Sequence, residues 1–233
     1  TGYMALYEND AHQNTAFGSK ALEKNEGGSS HVAIGYQALN KNTDGSRNTA
    51  IGSSSLTNNT TGGWNTALGS LTLRNNQTGH YNTATGYMAL NLNTSGSNNT
   101  AVGNQALHKN KKSNNTAIGS YALYENTDGT NNTASGYYAL HKNTDGYENT
   151  AIGYQALYTN SSGAENTAIG NLALYKNSTG GYNTASGSKA LYSNTTASNN
   201  VAFGHDAAFA NTTGTRNIAI GVGAYDAADE EDD

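Results

Sequence analysis

A glycine recurs along this chain at a fixed interval. The glycine closing each Ala-x-Gly word stands at Gly18, Gly35, Gly52, Gly69, Gly86, Gly103, Gly119, Gly136, Gly153, Gly170, Gly187, Gly204 and Gly221. The step is 17 residues everywhere except from Gly103 to Gly119, where it is 16. A partial unit lies upstream around Gly2. The unit reads roughly N-T-A-I-G-Y-Q-A-L-Y-x-N-T-x-G-x-x, and a fixed period of this kind marks an array of like supersecondary units. Seventeen residues cannot hold two helices and two turns. A single helix fits poorly, because most units carry two or more glycines and two or more asparagines, all poor helix formers. The period predicts an all-β chain, a parallel β-solenoid (β-roll) of about thirteen 17-residue coils. Two short strands and two turns would close each coil. At a strand spacing of about 4.8 Å the stack would form a rod on the order of 60 Å long.

The columns of the repeat support that fold. The residue after the first Asn is always β-branched, mostly Thr but also Val32, Val201 and Ile218, which suits strands. Next comes Ala in every unit, from Ala16 to Ala219. Then comes a mostly apolar site, including Phe17, Ile34, Ile51, Leu68, Val102, Ile118, Ile152, Ile169, Phe203 and Ile220, with Thr85, Ser135 and Ser186 as exceptions. Four residues after the glycine stands Leu, from Leu22 to Leu191. Side chains alternate along a strand, so the β-branched and Ile-type rows share one face and Ala takes the other. The expectation is that the Ile-type and Leu rows meet inside a narrow coil. The Ala row would then mark close approach of another backbone, from a facing sheet or a neighbouring subunit.

The second half of the unit reads as a turn. NTDG at Asn42–Gly45, Asn126–Gly129 and Asn143–Gly146 places Asn first and Gly fourth, the type I preference. Two Asn columns run through the chain, and stacking predicts an amide ladder along each. The solenoid is expected over residues 1–225, followed by an acidic tail, 226–233. The chain opens inside a repeat without Met, as expected of a segment of a longer array.

Composition narrows the function. The formal charge is −5, and the last five residues are all acidic, so the body is nearly neutral. Nucleic-acid binding wants a basic face, so no such partner is expected. The chain has no cysteine, hence no disulfide framework or thiolate metal site. No apolar run approaches a membrane span, so no membrane insertion is expected. The six histidines, His12, His31, His80, His108, His141 and His205, show no metal-ligand spacing. His108 and His141 share a column two coils apart, about 10 Å. Asp128 and Asp145, one coil apart in a turn column, read as solvated acids in preference to a weak cation site. No catalytic set, cofactor or metal site emerges, and the chain reads as a non-enzyme.

The aromatic residues are more informative. Tyr7, Tyr124, Tyr158, Tyr175, Tyr192 and Phe209 occupy the site after Leu, which points outward if Leu points in. A second column holds Tyr3, Tyr36, Tyr87, Tyr137 and Tyr154. The first column is the candidate site. It is read either as a stabilising stack or self-association stripe, or as a stripe for sugars or another surface.

The word N-[T/V/I]-A-I-G resembles the head repeat of trimeric autotransporter adhesins, which uses a shorter unit. The A-L-x-x-N-T-x-G half is similar to repeats of bacteriophage and bacterial tail-fibre-type surface proteins. The resemblance runs from Gly2 to Gly221. It implies a left-handed β-roll, association of three rolls side by side, and a place outside the cell, on a cell or virion surface. The expected function is a non-catalytic structural or adhesive fibre that self-associates as a homotrimer or polymer. A surface glycan or host receptor is its expected foreign partner. An end-to-end extracellular filament is the alternative. Ice binding and glycan binding rank lower, ice binding because the word N-T-A offers a single Thr per strand.

Overall fold

A computed structural model describes residues 1–225; the expected acidic tail, 226–233, lies outside the described residues. The chain is a parallel β-solenoid and divides into two compact units, Thr1–Asn115 and a second beginning at Thr116. In the first unit six strands stack, Thr15–Phe17, Val32–Ile34, Thr49–Ile51, Thr66–Leu68, Thr83–Thr85 and Thr100–Val102. Their register matches like with like, as in Ala33 beside Ala50 and Ala50 beside Ala67. In the second unit seven strands stack in the same way: Thr116–Ile118, Thr133–Ser135, Thr150–Ile152, Thr167–Ile169, Thr184–Ser186, Val201–Phe203 and Ile218–Ile220.

Among the described residues, the second strand expected in each coil is present only at the start of the first unit, where Glu8–Asn9 pairs with Lys24–Asn25. Elsewhere that side is a tight turning segment, because three non-glycine residues per coil adopt left-handed backbone. In one coil these are Glu148, Gln155 and Leu157, with φ of 55°, 52° and 52°. Such conformations cost about 1–2 kcal/mol each. Hydrogen bonds to both adjacent coils offset the cost. Gln155 N–H donates back to Tyr137 O at 3.0 Å and Leu157 N–H donates forward to Ala173 O at 3.0 Å.

The core reverses one expectation. The Leu row is fully buried, but its partners are the Ala row of the strand and a second Ala row immediately before Leu, as with Ala151, Ala156 and Leu157. The Ile-type row faces out: Ile118 is 47% exposed and Ile152 42%. The alternation was read correctly and its inner face was not. A 17-residue coil encloses room for one large side chain per level. Leu fills it, so the opposing wall must be Ala, since interiors tolerate little extra volume. The closest backbone approach falls instead at the glycine columns. At Gly153, φ is +133° and an added methyl would collide with the Gly170 carbonyl.

Both Asn columns form buried ladders. Asn160 Nδ2 donates to Asn143 Oδ1 at 2.8 Å and closes its own turn by donating to Gly163 O at 2.9 Å. The other column supplies Asn149 Nδ2, which reaches the same Gly163 O at 2.8 Å. One carbonyl per coil thus joins the two ladders. The turn is not closed by its own backbone. Thr144, Asp145 and Gly146 N–H all donate to Ser161 O of the next coil, and the Asn side chain does the closing.

The 16-residue coil loses its residue inside this turn. Asn110 donates to Lys112 O, two residues on, at 2.7 Å, and Asn99 reaches the same oxygen at 2.8 Å. The ladder bond from Asn110 to Asn93 stretches to 3.5 Å. Asn9 and Ala11 form the same short turn in the first coil.

His31 replaces Asn in the first ladder and copies its bonding. Its Nδ1 accepts from Asn48 N–H at 3.2 Å, where Asn65 N–H meets Asn48 Oδ1 in the next coil. Its other nitrogen faces Asn42 Nδ2 at 3.2 Å and the Gly45 backbone. Burial pushes its pKa below the usual histidine value, against the raising effect of these backbone bonds.

Two predictions follow from the packing. Ala151→Leu should destabilise the chain by about 1–3 kcal/mol through overpacking, read from the denaturant midpoint. Ile152→Thr, the residue type that already stands at Thr85, should cost within about 0.5 kcal/mol. Equal costs would return Ile to the interior. For His31 the folded pKa lies below the unfolded value of about 6.5, so its contribution is complete above that pH and is lost as pH falls below it. His31→Asn should therefore remove part of the acid sensitivity. Identical stability–pH curves for the two proteins would show that His31 ionises as readily folded as unfolded.

Candidate functional site

The predicted aromatic column is real in the second unit. His141 fills the gap between Tyr124 and Tyr158, one 17-residue step from each. The rings then stack in order: Tyr124 on His141 at 5.2 Å between centroids, His141 on Tyr158 at 5.3 Å, and Tyr158 on Tyr175 at 5.3 Å. Tyr175 on Tyr192 at 5.2 Å and Tyr192 on Phe209 at 5.0 Å complete it. From His141 onward the interplanar angles are 7° to 10°. The strand spacing of about 4.8 Å lies inside the range aromatic pairs prefer, so the coil repeat itself sets the stack. Lys142 and Lys176 place ammonium groups over Tyr158 and Tyr192, at 5.4 and 5.2 Å. Tyr7 belongs to the first unit. It is exposed and joins no ring stack among the described residues, since the next coil carries Glu23 at that site.

A second group of rings flanks the stack. Tyr121 stacks on Tyr138 at 5.0 Å and Tyr137 on Tyr154 at 5.9 Å, while Tyr137 and Tyr138 meet edge-on at 4.3 Å. Tyr137 and Tyr154 belong to the second predicted column. Tyr121, Tyr138 and the place of His141 were missed, although 17-residue spacing marks all three. A hydrogen bond with Tyr138 raises the Tyr137 phenol pKa most, aided by burial and neighbouring phenols. Burial chiefly, then Tyr192 and Tyr158, raises that of Tyr175. A hydrogen bond to the Glu165 carboxylate raises that of Tyr182.

This geometry bears on ligand binding. A sugar packs its C–H groups on an open ring face, and in the stack each inner face is covered by the next ring. The column therefore offers edges and phenol oxygens. Tyr36 and Tyr87 of the second predicted column are exposed and make no ring contact among the described residues.

The surface that sequence reasoning placed inside is the strand face. Each strand turns a β-branched residue and, with the exceptions at Thr85, Ser135 and Ser186, an apolar one outward. None of the thirteen strands carries a charged residue. In the second unit the outward residues include Ile118, Ile152, Ile169 and Phe203, between 42% and 47% exposed. The signal was present in the sequence: Ala has no exception in its column, whereas the Ile site tolerates Thr and Ser.

Among the described residues no group of three or more His, Cys, Asp or Glu side chains could hold a metal ion. Among the same residues no helix is long and apolar enough to cross a membrane. His205 lies 3.0 Å from Asp206, its chain neighbour. Comparison of the chain with protein-family models finds no match, and neither curated proteins nor solved structures match it.

Proposed function

We propose that this chain is a non-catalytic structural or adhesive segment of a surface fibre, and that it self-associates through its strand face. One observation carries the reading. The strand face repeats an uncharged, β-branched and aliphatic surface in register at coil after coil, while the rest of each coil is closed by its own ladders. Depletion of charge with exposed apolar area is the mark of an interface core. Side-by-side association of three copies buries such a face without leaving a row unpaired. The aromatic column then lies outside the interface, which moves the association surface away from where the tyrosines first placed it. An extracellular setting, on a cell or virion, suits a stack fastened at each level. A glycan or host receptor would be met by the variable outer residues.

The same face supports a second reading. Two outward rows per strand, Thr and Ile, repeat at strand spacing, and such rows can order water as an ice-binding surface does. Thermal hysteresis at micromolar protein tests it directly.

Solution mass decides the main proposal. The 24.2 kDa chain should sediment as a trimer. Ile152→Lys with Ile169→Lys places two charges on neighbouring strands and should return the mass to that of a monomer, with the circular dichroism unchanged. A monomeric parent would remove self-association. A multimer indifferent to the two lysines would put the interface elsewhere, and long particles in electron micrographs would favour the end-to-end filament.

A further inference from the structure

The chain contains no cysteine, so an oxidising environment cannot fasten its coils with disulfides. It does bring phenols into contact. Tyr158, Tyr175 and Tyr192 come from three successive coils and form two consecutive pairs, 5.3 and 5.2 Å apart and within 10° of parallel. The column is bounded by His141 on one side and Phe209 on the other, neither of which has a phenol to couple. Exposed Tyr137 and Tyr154 stack on one another, Tyr137 meets Tyr138 edge-on, and Tyr138 meets Tyr158 edge-on at 5.9 Å, which places accessible phenols beside the half-buried stack.

We propose that Tyr158, Tyr175 and Tyr192 form an oxidative cross-linking site at which dityrosine joins neighbouring coils. The co-reactant is a one-electron oxidant, here hydrogen peroxide with a haem peroxidase. Each of two phenols loses one electron and one proton to become a phenoxyl radical. The radicals join by a carbon–carbon bond between ring positions ortho to the oxygens, and each ring regains its phenol when the ortho hydrogen moves to oxygen. Two tyrosines thus lose two hydrogens, and one hydrogen peroxide becomes two waters. Contact between rings lets a radical formed on one phenol pass to the next, so oxidation at an exposed edge can resolve within the stack. The ladder holds each pair in register, which makes the coupling intramolecular. The product would be a covalent rung between coils, acting where a disulfide acts in other extracellular domains.

The test uses the full chain, treated with peroxidase and limiting peroxide. Trypsin cuts after Lys142, Lys176, Lys189 and Arg216, so Tyr175 lies on peptide 143–176 and Tyr192 is the single tyrosine of peptide 190–216. The expected product joins those two peptides with the loss of two hydrogens, shows dityrosine fluorescence, and forms with a yield independent of protein concentration. Tyr175→Phe keeps a ring in the stack and should reduce this product to background. Tyr124→Phe should leave it unchanged, because its column neighbour is His141. Three results would overturn the proposal: no joined peptide, a yield that rises with protein concentration, or a product that survives Tyr175→Phe.

Discussion

The buried side-chain amide is the constraint on which this structure rests. Each Asn of the turn column must satisfy two N–H groups and a carbonyl in a buried interior, and a buried polar group left unpaired costs about 1–3 kcal/mol. The coil solves this in one way. Asn160 gives one hydrogen to the coil before it and one to Gly163 O, while its own oxygen receives Asn177 Nδ2 from the coil after it, at 2.8 Å. The first column arrives at the same carbonyls, so a slip of one residue would orphan both ladders together. Register is therefore fixed by polar groups, as a strand face of repeated Thr and Ile cannot fix it. The shortened coils show how firmly. A residue is lost between Asn and the carbonyl, and the carbonyl of Lys112 takes the place of a glycine's. Ala197 does the same where the chain keeps its full period, accepting from Asn183 and Asn194. The carbonyl oxygen is what the joint requires.

The ladders also explain how the chain tolerates a backbone that local preferences oppose. Leu157 at φ 52° is strained as an isolated residue, and its counterparts recur along the chain. No single coil could hold that conformation against a gain in chain entropy. In a stack, two of the left-handed residues, such as Glu148 and Gln155, send their N–H groups to the coil before and the Leu sends its own to the coil after, so each coil is the template for the next. The stability of such an array resides in nearest-neighbour terms. A thin core of two Ala and one Leu per coil is sufficient because the interface between coils supplies hydrogen bonds at every level.

The period, the Leu row, both ladders and the outward aromatic column were legible because each depends on spacing, and spacing is what a repeat writes most plainly. The facing of the strand was misread because hydrophobicity was ranked ahead of volume. Ile outranks Ala as a core residue in a wide interior, but not where Leu already fills the level. The exceptions Thr85, Ser135 and Ser186 carried the correction, since the Ala column of the strand has no exception at all. The left-handed Leu, Gln and Tyr residues were not legible at all. Propensity describes a residue among its chain neighbours, and theirs is a conformation imposed by adjacent coils.

The division of labour around the coil follows from the same economy of space. The interior varies at few places, with Ser55 and Thr72 in the second Ala row, Ala208 at the Leu site and His31 in a ladder, and the carbonyl joint shortens by one residue at Lys112. Most variation therefore falls at the outward positions, which are of two kinds. The strand face keeps its type from coil to coil, uncharged and β-branched, as a surface meant to meet a regular partner would. The two predicted aromatic columns change type along the chain, from Tyr7, Tyr36 and Tyr87 in the first unit, which make no ring contact among the described residues, to a closed stack of rings in the second. Isolated rings can receive a ligand on their faces, whereas closed stacks can only be reached at their edges or altered chemically. A single fold thus carries two surfaces with different chemistry, and a 17-residue step decides which rings meet.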